Sequence, residues 1–162
     1  MAILTYSGRT LFAEFLVTRP LYLAIGKGKT SWDTTPEAPD YEDTDLISTI
    51  GYKKLTRSFF VNEDDNGEID LPGGRFYSAS ETPTRHVCLE FQFKYGEAVN
   101  TEIREVGIFA GTVITGGLPS NQTYFTPAQV TAKGALITLE HLEAPDTFTP
   151  NKKGCYRTVL TI

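Results

Sequence analysis

Residues 87–95 alternate between two kinds of side chain, and this pattern constrains the fold more than any other part of the sequence. The apolar series is Val87, Leu89, Phe91, Phe93 and Tyr95, and the intervening series is Cys88, Glu90, Gln92 and Lys94. A period of two belongs to a β-strand, because successive side chains of a strand point to opposite faces. We therefore expect a strand with one face in a hydrophobic core and the other in water.

Similar apolar runs recur along the chain and predict about eight strands. Asn66 and Gly67 predict a tight hairpin turn, because such a turn needs positive φ angles. Residues 103–109 are apolar on both faces, so this strand is expected at the centre of a sheet, where Gly107 permits close approach of a neighbour. The predicted strands cover residues 21–25, 52–61, 68–71, 76–80, 87–95, 103–109, 135–142 and 155–162.

Two helices are expected beside the strands. Ser7 is a candidate N-cap for a helix over residues 7–19, which ends before Pro20. Its apolar face is expected to pack on a sheet edge and carries Leu11, Phe12, Phe15 and Leu16. Residues 44–50 predict a second, short helix stopped by Gly51. Ahead of the first helix, residues 1–6 form an apolar arm, either an edge strand or a segment that lies on a neighbour.

These elements predict a mainly β fold, an antiparallel β-sandwich of about eight strands with an N-terminal helix and one short second helix. The chain has 162 residues, of which 40% are hydrophobic and 22% charged, so a single domain over residues 1–162 is expected. Residues 30–43 predict an exposed, acidic loop. Residues 111–134 predict a long loop, and long loops in compact domains usually serve function or are ordered by a partner.

The net charge, the N-terminal stretch and the cysteines limit the expected partners and location of the protein. A net charge of −5 without a basic stripe disfavours nucleic acid and favours protein partners. The N-terminal stretch lacks the pattern of a signal peptide or a membrane span, so a soluble protein made in the cytosol is expected. Cys88 and Cys155 could form one bridge, but reduced and buried thiols are more typical of a cytosolic protein of this size.

No enzyme motif is complete. Gly28, Lys29 and Thr30 match only the end of a phosphate-binding loop, because Leu23 stands where the first glycine is needed. The acidic turn at residues 62–67 has Gly73 where a calcium loop needs its bidentate Glu. A metal site from the two histidines and two cysteines is possible in principle, but nothing in the sequence brings them together. We therefore expect no catalytic residues, no cofactor and no metal.

Three landmarks in fixed order resemble a known group. The landmarks are a strand at Tyr22–Gly26, a helix start at Thr44–Leu46 and a strand at Ile103–Phe109, with a Pro-rich loop and a hairpin between them. In this order they resemble the N-terminal region of phage tail-collar fibre proteins and short baseplate proteins of contractile-tailed phages. The resemblance covers residues 20–113. Fibre proteins continue into long repetitive shafts, whereas this chain ends at Ile162, so an adapter or baseplate part without a shaft is expected.

The resemblance implies a non-enzymatic structural protein of the tail, assembled in the host cytoplasm and located in the virion. Its partners would be other tail or baseplate proteins, at the baseplate, the tail tube or sheath, or the fibre base, with a symmetric homo-oligomer or ring expected. An alternative is a receptor- or carbohydrate-binding module of the tail tip, in which Trp32, Tyr41 and Tyr77 would stack on sugars. The candidate docking residues are Ile3, Leu4, Tyr6, Trp32, Tyr41, Tyr124 and Phe125.

Overall fold

The computed structural model describes residues 1–71, 74–147 and 154–162. These residues form two compact units, and both are assembled from separate stretches of the chain. The N-terminal unit comprises Met1–Arg19, Thr56–Phe91 and Tyr156–Ile162, and the central unit comprises Pro20–Leu55 and Gln92–Cys155. A single domain over all 162 residues stays a prediction.

The chain contains one α-helix, α1 at Tyr6–Val17, and twelve strands within the described residues. The strands are β1 Leu21–Gly26, β2 Thr49–Lys54, β3 Arg57–Glu63, β4 Ile69–Leu71, β5 Arg75–Ala79, β6 His86–Gln92, β7 Glu102–Ala110, β8 Val113–Ile114, β9 Tyr124–Phe125, β10 Val130–Ala132, β11 Ala135–Thr147 and β12 Cys155–Thr161. Two 3-10 turns lie at Thr30–Asp33 and Pro127–Gln129. No described helix has the length and apolarity that a membrane crossing requires.

The central unit is built on a five-stranded sheet in the order β11-β7-β1-β2-β9, with a two-stranded sheet of β8 and β10. Strand β7 lies between β11 and β1, which confirms its predicted central position. Gly107 of β7 allows the predicted close approach, because a Cβ there would lie 2.7 Å from Leu46 Cδ1. The core packs around Tyr22, Ala24, Leu46, Tyr52, Phe109 and Phe125.

The N-terminal unit contains a five-stranded sheet in the order β12-β6-β3-β5-β4. Its core is formed by Val61, Ile69, Tyr77 and Cys88. The pairs β3–β5, β3–β6 and β4–β5 are antiparallel, as are the pairs of the central sheet. The mainly β, antiparallel class is therefore confirmed, whereas eight strands is an undercount. The sandwich arrangement stays a prediction.

The predicted hairpin at residues 64–67 is wrong. Strands β3 and β4 both pair with β5 and not with each other. The turn is closed by Gly67 N–H donating to Asp64 O at 2.8 Å and by Asn66 N–H donating to the Asp64 carboxylate at 3.0 Å. Gly67 is required because there is no room for a side chain, since a Cβ there would lie 2.2 Å from the Tyr77 carbonyl oxygen. The predicted reason was a positive φ.

The predicted second helix at residues 44–50 is also wrong. These residues form a bend that leads into β2 at Thr49. The backbone N–H groups of Ile47 and Ser48 donate to the Glu105 carboxylate, at 3.2 and 3.0 Å. A buried side-chain acceptor has replaced the carbonyl acceptors that a helix would have supplied.

Three further predictions need correction. Strand β6 is buried on both faces, because Cys88 and Glu90 are as buried as Val87 and Leu89. Residues 111–134 are not one long loop, since they contain β8, β9 and β10. The predicted burial of both cysteines holds for Cys88, whereas Cys155 is exposed.

Candidate docking surfaces

Helix α1 is confirmed, but its predicted packing is not. The helix begins after Thr5, whose side chain accepts a hydrogen bond from Gly8 N–H at 3.2 Å, so Thr5 and not Ser7 is the N-cap. The fully buried residue of the helix is Ala13, on the face opposite the large apolar side chains. The bulky apolar face of the helix is exposed to solvent.

That bulky face forms, with the preceding arm, what we call the N-terminal apolar surface: Ile3, Leu4, Tyr6, Leu11, Phe12 and Phe15. Leu11 is 65% exposed, and Phe12 and Phe15 are each 55% exposed. The arm residues are exposed as well. Several exposed large apolar side chains within one short segment are typical of a surface that contacts another molecule.

The C-terminal end of α1 is fixed and carries a cation. The Thr18 hydroxyl donates to Phe15 O at 2.7 Å. The Arg19 guanidinium lies over the Phe15 ring, 4.3 Å from its centroid, which is a cation–π geometry. An exposed aromatic ring and a positive charge are thus presented together.

The central unit carries a second exposed feature, the acidic loop at residues 33–45. Three cations fasten it: Arg104 binds Asp33 through two nitrogens at 2.7 and 2.8 Å, Lys29 binds Glu37 at 2.7 Å, and Lys133 binds Asp45. The hydrogen bond from Arg104 lowers the pKa of the Asp33 carboxyl below its usual value, and that from Lys29 does the same for Glu37. The loop therefore keeps its negative charge at neutral pH.

The middle of the acidic loop has uncompensated charge. Asp40 and Asp43 accept hydrogen bonds from backbone N–H groups, and Glu42 accepts one from the Tyr41 hydroxyl. No ion pair joins these three carboxylates to a cation within the described part of the chain. Tyr41 stands among them, 93% exposed.

Glu105 on β7 holds the segments that flank this loop. Its carboxylate is fully buried and accepts hydrogen bonds from the backbone N–H groups of Gly28, Ile47 and Ser48 at 3.0–3.2 Å. Gly26 leaves room for this side chain, because a Cβ there would lie 2.4 Å from Glu105 Oε1. Hydrogen bonds to an ionised acceptor are stronger than neutral ones, so the loop is attached firmly to β7, an interior strand of the sheet.

A cavity of about 220 Å³ opens beside the acidic loop. Trp32 and His141 stack along it with ring centroids 3.9 Å apart, and His141 Nδ1 donates to Glu37 O at 2.6 Å. Trp32 is only 4% exposed. Its indole N–H reaches no acceptor at hydrogen-bond distance, although it lies close enough to Glu37 to help lower the pKa of that carboxyl. The other lining residues are Lys29, Ala38, Asp40, Asp43, Asp45, Ile47, Glu105 and Leu139.

The predicted docking residues divide into two groups. Ile3, Leu4, Tyr6 and Tyr41 are exposed. Trp32 and Phe125 are buried in the central unit, and Tyr124 is half-buried on β9, where burial raises its pKa to about 12. The docking prediction therefore now rests on the first group. Leu11, Phe12 and Phe15 join it, although the sequence alone gave no signal that this helix face is exposed.

The aromatic platform considered for sugar binding is not assembled. Tyr41 is exposed, but Trp32 and Tyr77 are 4% and 2% exposed. Tyr77 lies in the core of the N-terminal unit.

Two buried titratable groups of the N-terminal unit, Glu90 and His86, have polar partners within that unit. Glu90 is buried and its carboxylate binds Arg57 at 3.0 Å and Arg157 at 2.8 Å, beside a cavity of about 520 Å³. His86 is buried near Thr161, with Nδ1 2.8 Å from the hydroxyl oxygen, and burial lowers its pKa. Over the described ranges, no group of three or more His, Cys, Asp or Glu side chains has the geometry to hold a metal ion.

These features define a class of β-rich, antiparallel proteins with exposed apolar and charged surfaces. A family model described as "Baseplate wedge 3 tail fiber network component" matches residues 1–162, so the chain belongs to that family of phage baseplate proteins. It is also similar to "Virion protein 3" of Enterococcus phage phiEF24C, with 29% identity over 156 residues, which is 87% of this chain and 84% of the relative. The resemblance to phage baseplate proteins is confirmed, and the chain is a structural virion protein.

Proposed function

We propose that this chain is a non-enzymatic docking component of the baseplate and that the N-terminal apolar surface is its principal docking element. The chain would join other tail proteins during assembly in the host cytoplasm and remain in the virion. The loops of the central unit, the acidic loop above all, would contribute further contacts.

The exposure of Leu11, Phe12 and Phe15 on a capped helix is the observation that carries this proposal. Burying a large apolar side chain from water contributes about 1.5–3 kcal/mol. Several such side chains on one helix face can therefore offset the cost of association, roughly 4–15 kcal/mol. An amphipathic helix that lies in a groove of its partner is a common recognition mode.

Incorporation into phage particles tests the proposal. We expect a chain with Leu11→Ser, Phe12→Ser and Phe15→Ser to fold, because these side chains are exposed, but to be depleted from purified tails. Val113→Ser is the matched control, because Val113 is 52% exposed on β8 of the central unit, outside the N-terminal apolar surface. Particles that contain the triple variant at normal copy number would contradict the proposal.

Removal of the arm gives a second, independent test. Deletion of residues 1–4 leaves Thr5 in place as the N-cap of α1, so the helix should persist. The purified truncated chain should show the circular dichroism of the unaltered chain, and its incorporation should fall. Normal incorporation would show that the arm is not part of the docking element.

A further inference from the structure

We infer that the partner of the N-terminal apolar surface is a second copy of this chain, with the Phe15–Arg19 end of α1 from one copy seated in the acidic-loop cavity of the next. This inference rests on the proposed docking function and names its partner. The two surfaces, hereafter the knob and the socket, have matching chemistry.

The knob combines an aromatic side chain with positive charge. Phe15 is 55% exposed and carries the Arg19 guanidinium over its ring at 4.3 Å. Arg9 lies about 1.7 turns before Phe15 in the helix and adds a second positive charge. Neither arginine forms an ion pair with an acid in the part of the chain that the structure describes.

The socket has the opposite character. Its apolar walls include Ala38, Ile47 and Leu139, and its volume of about 220 Å³ is the space of roughly seven water molecules at about 30 Å³ each. Asp40 and Asp43 line it and lack a cationic partner in the described residues, and Glu42 stands between them in the loop. A largely polar hollow that has some apolar wall residues and an uncompensated acidic rim is suited to an aromatic side chain that carries its own cation.

The indole N–H of Trp32 points to a partner independently of the charges. Trp32 is 96% buried and lines the socket, and its indole N–H makes no hydrogen bond of normal geometry in the described residues, although the Glu37 carboxylate lies nearby. A buried donor without an acceptor costs about 1–3 kcal/mol, and such groups are rare in completed structures. A peptide carbonyl or carboxylate brought by the incoming segment would satisfy it.

A knob and a socket on different surfaces of one chain make a heterologous contact. Contacts of this kind close into rings when the rotation between copies allows it, and otherwise propagate as filaments. The exposed Tyr41 beside the socket and the exposed Ile47 of its wall would then cover Leu11 and Phe12 of the neighbouring copy, which completes the apolar contact.

Charge reversal on the knob and on the socket tests this inference and distinguishes a lost contact from a variant that fails to fold. The first variant carries Arg9→Glu and Arg19→Glu, and the second carries Glu42→Lys and Asp43→Lys. Sedimentation velocity of the full chain should show concentration-dependent association of the unaltered protein, weaker in high salt, and each variant alone should associate at least about tenfold more weakly. A mixture of the two variants should recover association, because both kinds of contact in the mixture again join opposite charges.

The control carries Asp65→Lys and Asp70→Lys at exposed positions of the N-terminal unit. It changes the net charge as much as the second variant does, and it should leave association unchanged. Failure of the mixed variants to associate would overturn the inference. An unaltered chain that stays monomeric throughout would overturn it as well. If the apolar triple variant is then still excluded from particles, the docking function stands and the partner is another virion protein.

Discussion

Replacing Glu105 with Gln tests whether one buried carboxylate holds the acidic loop in place. In the native chain this group accepts three backbone N–H donors from Gly28, Ile47 and Ser48. Gln keeps one oxygen as an acceptor and puts an NH2 group where the second oxygen was. At least one donor then loses its acceptor, and the remaining hydrogen bonds lose their charge.

The expected cost follows from these contacts. A hydrogen bond to a charged group contributes about 1.5–3 kcal/mol, against about 0.5–1.5 kcal/mol for a neutral one, and a buried donor left without a partner costs about 1–3 kcal/mol. Glu105 is fully buried, so water does not restore what is lost. We expect Glu105→Gln to lower the free energy of unfolding of the central unit by about 3 kcal/mol.

Two measurements report this directly. Trp32, the only tryptophan of the chain, lies in the segment that Glu105 holds, so its fluorescence during urea denaturation follows the central unit. Hydrogen exchange of the Gly28, Ile47 and Ser48 amides should accelerate. Glu102→Gln is the control on the same strand, because the Glu102 side chain is 60% exposed and should cost less than about 1 kcal/mol. The reasoning would be refuted if Glu105→Gln and Glu102→Gln were equally stable and if the hydrogen exchange of the three amides were unchanged.

Three other substitutions follow from the central unit. Lys53 is buried and binds Glu97 at 2.6 Å, so Lys53→Met should cost about 3–5 kcal/mol in urea denaturation, because it leaves that carboxylate without its cation. The double variant Lys53→Met with Glu97→Gln should recover most of this stability. Burial raises the pKa of Tyr124 from 10.0 to about 12, because the folded chain favours the neutral phenol. The stability that this neutral side chain contributes is therefore complete below pH 10 and is lost as the pH rises towards 12. The variant Tyr124→Phe should lose less stability over that pH range in alkaline denaturation. Gly107→Ala should lower the free energy of unfolding by about 1–3 kcal/mol through overpacking against Leu46 and Leu136, whereas Gly116→Ala, with open space around it, should have almost no effect.

The parts of the fold that periodicity governs were predictable from the sequence. Strands β1, β6 and β7 were placed within a few residues, because a run of buried apolar side chains is the dominant local signal for a strand. The central place of β7 followed from apolar residues on both faces. Helix α1 was also placed to within two residues at each end.

The failures have non-local causes. Asn66 and Gly67 carry a hairpin signal, yet β5 separates β3 from β4, and no local pattern reveals which strands pair. Residues 44–50 look helical until Glu105, far away in sequence, supplies the acceptor for their N–H groups. Strand β6 was expected to be wet on one face, but Arg57 and Arg157 neutralise Glu90 there and permit its burial.

The candidate site was predictable only in part. Ile3, Leu4 and Tyr6 were identified because an apolar arm without a pattern of its own suggests a contact with a neighbour. Leu11, Phe12 and Phe15 were assigned to the interior instead, since a sequence does not distinguish an apolar helix face that packs within the chain from one that packs on a partner. The ion pairs that shape the acidic loop join residues distant in sequence and needed the three-dimensional structure.

A density map of the intact baseplate tests the central claim most directly, because it shows what covers residues 1–19 in the virion. We predict that Leu11, Phe12 and Phe15 are buried against a neighbouring chain, with Arg19 beside an acidic surface. A map in which this helix face remains open to solvent throughout the assembled tail would contradict the account.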